Sequence, residues 1–242
     1  MSHDLGMPGN YEYLSLNKGI SIQRQWNKNR LLLLKKINFI TKNDIVLDAG
    51  CGSGNVVLEF SKLAKRIDGW DINKNSISFL RKKIKENQIR NANTAVRNLL
   101  KVKGKPHFSK IILTEVIEHF SHEDYKKMLL NLRYLLLPKG RIFITTPNDK
   151  SIWPILEFML NIFQKNIQRV PTLDDRHLGH FDKKTLETIV EEAGFKIIHS
   201  GTMNSFSPFL FFLSEKKRDK ISYWESKSIK FGPLLFLIAE KK

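Results

Sequence analysis

I-V-L-D-A-G-C-G-S-G-N, residues 45–55, is the stretch on which the reading of this chain turns. Ile45, Val46 and Leu47 form an apolar run with β-branched members and no polar break, the pattern of a strand buried on both faces of a parallel sheet. The run stops at a carboxylate, Asp48. Gly50, Gly52 and Gly54 follow, and glycines at that density permit positive φ and let main-chain N–H groups come close to a ligand. Val56, Val57, Phe60 and Ala64 then recur at helical spacing, so the unit reads as strand, glycine turn and helix.

Such a unit suits an adenosine-bearing compound, and charge decides which one. Dinucleotide sites carry G-x-G-x-x-G, so that a helix N-terminus faces a pyrophosphate. Here the spacing is G-x-G-x-G, and Asp48 stands where an anion would be repelled. An acidic turn favours a ligand with an ammonium and a sulfonium group, which S-adenosylmethionine offers. The next strand, residues 66–71 (R-I-D-G-W-D), ends in Asp71, 23 residues after Asp48. A carboxylate at that offset can accept hydrogen bonds from both ribose hydroxyls.

On these residues the sequence resembles the class I S-adenosylmethionine-dependent methyltransferases, whose first motif residues 46–54 repeat almost letter for letter. The run L-L-P-K-G-R-I-F-I-T-T-P-N, residues 136–148, carries the likeness further, and residues 40–200 are covered well and the ends poorly. The resemblance implies an α/β, Rossmann-like, doubly wound fold with a mostly parallel seven-stranded sheet and an antiparallel edge strand. It implies S-adenosyl-L-methionine as cofactor, held by Asp48, Gly50, Cys51, Gly52, Gly54, Asp71, Ile72, Asn98, Leu99 and Thr114. Where the family often has an Asp facing the adenine amino group, this chain has Asn98, whose amide oxygen can still accept from N6. Residues 1–40 read as an N-terminal helical cap, its helix at residues 29–40, laid over the cofactor crevice of a methyltransferase domain spanning 41–242. From that cap Arg24 or Arg30 can reach the methionine carboxylate.

Catalysis turns on Glu115, Glu118 and His119, in E-V-I-E-H after the fourth strand, residues 109–114. With a helical backbone these three would share one face at the mouth of the sheet. Two carboxylates and an imidazole can bind a divalent cation such as Mg²⁺, with His177 or His180 as a distant ligand. This combination is similar to two relatives: the O-methyltransferases of ubiquinone biosynthesis, and the small-RNA 3′-terminal 2′-O-methyltransferases, which use metal held by two Glu and two His. In both, the resemblance implies a cation that lowers the pKa of a substrate hydroxyl. The rival reading makes E-V-I-E-H the common run of the broad class, with Glu115 lining the pocket and His119 as its wall or general base.

Further on, Ser121 caps a helix whose stripe is Tyr125, Met128, Leu129, Leu132 and Leu136, ended by Pro138 and Gly140. Residues 141–146 form the fifth strand. Residues 149–182 are too long for a plain connection. They hold S-I-W-P-I-L-E-F-M-L-N-I-F, residues 151–163, which suits a lid over the substrate or a foot in a lipid interface. A helix over 186–193, a strand over 195–199 and a last strand over 234–239 complete the order. Residues 206–213 (F-S-P-F-L-F-F-L) are a candidate partner surface.

Composition sets the outer bounds. The 242 residues allow one large domain with small additions, and 41% apolar with 27% charged residues is ordinary for a globular protein. The one cysteine, Cys51, excludes an internal disulfide and sits between glycines as a turn residue. Without a basic n-region, an apolar h-region or a run long enough to cross a bilayer, the chain reads as cytoplasmic, with possible peripheral contact to an anionic membrane. A net charge of +17 draws it toward anionic lipid or RNA, but the lysines are spread along the chain rather than gathered in a stripe. The sequence therefore predicts methyl transfer to a hydrophobic or lipid-linked small molecule. The alternatives are a metal-assisted RNA 2′-O-methyltransferase and a protein that binds S-adenosylmethionine without catalysis.

Overall fold

A computed structural model of the chain describes residues 8–151 and 178–242. Seven strands form one sheet: β1 (Ile45–Ala49), β2 (Arg66–Asp71), β3 (Ala92–Val96), β4 (Phe108–Thr114), β5 (Leu136–Pro147), β6 (Phe195–Met203) and β7 (Leu234–Lys241). Their order is β3-β2-β1-β4-β5-β7-β6, parallel from β3 through β5. The antiparallel strand is β7, which pairs with β5 on one side and with the edge strand β6 on the other. It therefore lies one place in from the edge. The order reverses at β1, and the crevice at the carboxyl ends of β1 and β4 is where open α/β sheets bind ligands.

Alternating side chains give the sheet two dry faces. Ile111 and Leu113 of β4, Ile142 and Ile144 of β5, and Leu235 and Leu237 of β7 join one core with the buried faces of α5 (His122–Leu135) and α6 (Lys183–Glu192). The intervening Ile112, Phe143, Phe236 and Ile238 join the other, against α2 (Ser21–Lys36), α3 (Asn55–Phe60) and α4 (Lys74–Glu86). A sheet covered on both faces explains why these strands are near-continuous apolar runs.

Caps mark the helix starts. Asn73 accepts from the N–H groups of Asn75 and Ser76 at the head of α4, Ser121 from Asp124 at α5, and Asp182 from Thr185 at α6. The structure departs from the sequence reading most clearly in four places. Pro138 and Gly140 lie inside β5 because α5 passes directly into the strand at Leu136. The N-terminal helix begins at Ser21, eight residues before the expected start at Asn29, since its first turns bury Gln25 and Asn29 rather than leucines. A short helix α1 (Tyr11–Asn17) precedes it. Finally, α7 (Glu215–Ser228) carried no apolar period because the residues it buries are Ser222, Glu225 and Ser226. Glu225 accepts from the N–H groups of Phe206 and Ser207 and from the Ser207 hydroxyl, and Ser207 Oγ also accepts from Asn29 of α2. A polar network thus fastens α7 to α2. Residues 152–163, read as a lid or lipid foot, lie outside the described residues, and no described helix is long and apolar enough to cross a membrane.

Candidate active site

The glycine turn is built as its sequence demands. Gly50, Gly52 and Gly54 have φ of 74°, 47° and 84°, a region that L side chains rarely adopt. A Cβ on Gly50 would meet Val116 Cγ2 at 2.5 Å, and one on Gly54 would meet Leu80 Cδ1 at 2.2 Å. The N–H groups of Gly50 and Cys51 donate to the Trp70 carbonyl at 2.7 and 3.0 Å, which anchors the turn to β2. Asp71 closes it from the other side: Oδ2 accepts from Gly52 N–H at 2.8 Å and Oδ1 from Asn73 N–H at 2.8 Å.

Around this turn lies a cavity of about 550 Å³, within the range that binds small ligands. Of the residues read from sequence, Asp48, Gly50, Cys51, Gly52, Asp71, Ile72, Asn98, Leu99, Thr114, Glu115, Glu118 and His119 line it. Gly54 shapes the turn from outside the lining, as the left-handed cap of α3. Arg24 does not reach the cavity: it is exposed and donates to the Gly19 carbonyl at 3.1 Å. Arg30, one helical turn and a half further on, lines the cavity instead and pairs with Glu115. Asn98 Oδ1 accepts from Leu100 N–H at 2.9 Å, which leaves a second lone pair for an adenine amino group. Cys51 is buried, and withdrawal from water together with the Asp48 charge raises its thiol well above the usual range, which fits a packing residue and not a nucleophile.

The cavity is acidic at its base, and the acid there is buried. Asp48 is 1% exposed, and its Oδ2 has no hydrogen-bond partner among the described residues. Burial, then the charges of Glu12 and Asp71, push its pKa well above the carboxylate range, and Arg30 opposes them. An orphaned buried carboxylate is costly unless something cationic or hydrogen-bonding completes it. A cationic adenosine compound fits that demand, and a pyrophosphate does not.

Glu115, Glu118 and His119 do not share a helical face. Glu115 takes a left-handed backbone at φ 53°, and a short 3₁₀ turn, Ile117–His119, follows. The three side chains therefore part. Glu115 accepts from Trp26 Nε1 at 3.3 Å and from Arg30, which binds α2 to the mouth of the sheet. Glu118, 2% exposed, turns inward and accepts from the Thr146 hydroxyl at 3.0 Å. His119 faces the cavity. His180 is largely exposed and pairs with Asp149 at 3.1 Å, and His177 lies outside the described residues. Among the described residues no group of three or more His, Cys, Asp or Glu is placed to hold a metal ion.

Burial and then the Glu115 charge raise the Glu118 pKa to about 8. The folded chain thus keeps a proton that the unfolded chain releases near the ordinary value of 4.5, so stability falls as pH rises between those two values. Thermal melts are expected to show a lower Tm at about pH 8.5 than at about pH 6, and Glu118→Gln, which keeps the acceptor for Thr146, should flatten that slope. A slope unchanged by the substitution would assign it to other groups.

A sequence model described as a methyltransferase domain matches residues 20–200. The chain belongs to this family, that of the class I S-adenosylmethionine-dependent methyltransferases. Among curated relatives, a probable S-adenosylmethionine-dependent methyltransferase of Mycolicibacterium smegmatis is 22% identical over 179 residues, 74% of this chain and 62% of that protein. The probable methyltransferase TehB of Haemophilus influenzae is 32% identical over 88 residues, 36% of this chain and 30% of its own length. The chain thus spans less than two thirds of the curated relatives it matches. Among solved structures, the N-methyltransferase NodS of Bradyrhizobium japonicum, in complex with S-adenosyl-L-homocysteine, aligns over 98% of this chain and 94% of its own at 14% identity and a TM-score of 0.63. Magnesium protoporphyrin IX methyltransferase of Synechocystis, with the same compound bound, aligns over 92% and 86% at 17% identity and a TM-score of 0.61. These likenesses establish the fold of this methyltransferase family member.

Sequence reasoning missed Glu12, Trp26 and Asn27, all of which line the cavity. They come from α1 and α2, whose docking over the glycine turn is a tertiary event without a local motif.

Proposed function

We propose that the chain is an S-adenosylmethionine-dependent methyltransferase that acts on the oxygen of a small hydrophobic acceptor. The observation that carries the cofactor half is the buried, unpartnered Asp48 oxygen beside a glycine turn that Asp71 holds open. When bound, S-adenosylmethionine supplies an electrophilic methyl group on a sulfonium. Asp71 lines the cavity beside the turn it shapes, and a carboxylate there is suited to accept from the two ribose hydroxyls. Asn98 and Leu99 flank the adenine end, and Arg30 offers its guanidinium to a carboxylate at the other.

The acceptor half rests on the apolar part of the cavity lining. Ile22, Trp26, Val116 and Phe120 supply it, groups suited to a ring or an acyl chain. His119 lines the same cavity and takes the acceptor proton as general base. Glu115 serves chiefly to position Trp26 and Arg30, since both donate to its carboxylate. Binding of a divalent cation would require Glu118 to release its proton and give up its bond with Thr146. Contact with an anionic membrane would bring a lipid-linked acceptor to this mouth.

Transfer of labelled methyl groups from S-adenosylmethionine to pooled small-molecule and lipid extracts, run beside total RNA, tests this reading. Label is expected in the organic extract, and His119→Ala should lower the rate by about 10²-fold or more. Label confined to RNA would replace the acceptor assignment and leave the cofactor assignment standing.

A further inference from the structure

Glu12 stands outside the stretch, residues 20–200, that the family shares, yet its side chain lies in the glycine turn. Its Oε2 accepts from Ser53 N–H at 2.9 Å, and a Cβ on Gly52 would come within 1.9 Å of the same oxygen. The absence of a side chain at Gly52 is what admits it. α1 is pinned in place on three sides: Asn55 Nδ2 donates to the Glu12 carbonyl at 2.9 Å, Tyr13 N–H to Ser53 Oγ at 3.1 Å, and the Tyr13 ring meets Phe79 of α4 edge-on at 5.3 Å. The carboxylate is therefore held and not incidental.

The charges facing Glu12 do not balance. Asp48 at the end of β1, Asp71 at the end of β2 and Glu115 after β4 stand against Arg30 of α2, and Arg30 is already shared with Glu115. Ser53 N–H is the nearest compensation. An acidic group alone would not make a site, but the orphaned Asp48 oxygen, buried in the same cavity, lacks a donor that nothing described in the chain supplies.

We infer that Glu12 determines how the cofactor's amino-acid end is recognised, forming with Asp48 a receptor for its ammonium group. This rests on the cofactor reading above. An ammonium has three donors and a full charge, so it can satisfy both carboxylates together. Without it, withdrawal from water and the Asp71 charge raise the Glu12 pKa to about 7, and Asp48 is raised as well. Binding a cation therefore favours the ionised carboxylates and releases protons, and affinity climbs as pH rises through neutrality.

Calorimetric titration with S-adenosylhomocysteine and with 5′-methylthioadenosine, which lacks the amino-acid end, separates the possibilities. Glu12→Gln is expected to weaken the first by about tenfold or more and to leave the second within about twofold. In the parent chain, titrations in two buffers of different ionisation enthalpy should show protons released near pH 7 with the first compound and none with the second. That arm needs no variant. Equal losses for both compounds in Glu12→Gln, or no loss for either, would overturn the inference by making Glu12 a mere tether for α1 or a bystander. No proton release from the parent would overturn it too. A parent that binds neither compound contradicts the cofactor reading itself, and this inference with it.

Discussion

Asp71→Ala is expected to weaken S-adenosylhomocysteine binding by about a hundredfold or more. The carboxylate does two jobs. It shapes the turn by accepting from Gly52 and Asn73 N–H, each at 2.8 Å, and on the proposed reading it also accepts from the ribose hydroxyls of a ligand in the cavity it lines. A hydrogen bond to a charged acceptor contributes about 1.5 kcal/mol or more, so losing two costs at least about 3 kcal/mol, which is roughly a hundredfold. Two further N–H groups lose their acceptor, and the turn loosens. Titration calorimetry on a variant whose melt remains cooperative reads this directly. Unchanged affinity would remove Asp71 from the ribose site.

Gly54→Val should act through stability instead. At φ 84° a β-branched residue sits in a backbone region it almost never occupies, at about 1–2 kcal/mol. Its Cβ would also lie 2.2 Å from Leu80 Cδ1 and 2.9 Å from Leu80 Cγ, and Leu80 is fully buried between α4 and the sheet. Overpacking adds about 1–3 kcal/mol, so the total is about 2–5 kcal/mol. At about 2–4 °C per kcal/mol for a chain of this size, Tm should fall by roughly 5–20 °C. Scanning calorimetry measures it, and a Tm within about 2 °C of the parent would show that α4 shifts freely to make room. The two variants separate the turn's contribution to binding from its contribution to folding.

What could be read in advance was whatever a short segment decides by itself. The glycine turn needs no distant partner to declare its positive φ, Asp48 falls near the end of a strand that an apolar run marks plainly, and Asp71 ends the next strand at the offset expected from it. The parallel sheet followed from strands without polar alternation, and the buried stripe of α5 from its period. Tertiary choices were opaque. Glu12 enters the turn only because α1 folds back across more than forty positions to Ser53, a contact that no neighbouring residue signals. Of two arginines on one helix, the one that lines the cavity is set by how α2 docks, and its first turns are buried through polar residues, Gln25 and Asn29, that bond toward α7 and the loop before it. The same polar burial hid α7. Glu115 was expected to begin a helical face, but its left-handed backbone sends Glu118 inward to Thr146 and keeps Glu115 with Arg30.

The claim beneath all of this is that an acidic glycine turn selects an adenosine compound carrying an ammonium group over a phosphate-rich one. Titrating the parent chain with S-adenosylhomocysteine and, separately, with NAD⁺ tests it most directly. The acids Asp48, Glu12 and Asp71 around the turn predict saturable binding of the first and none of the second. Saturable binding of NAD⁺ with no heat from S-adenosylhomocysteine would contradict it.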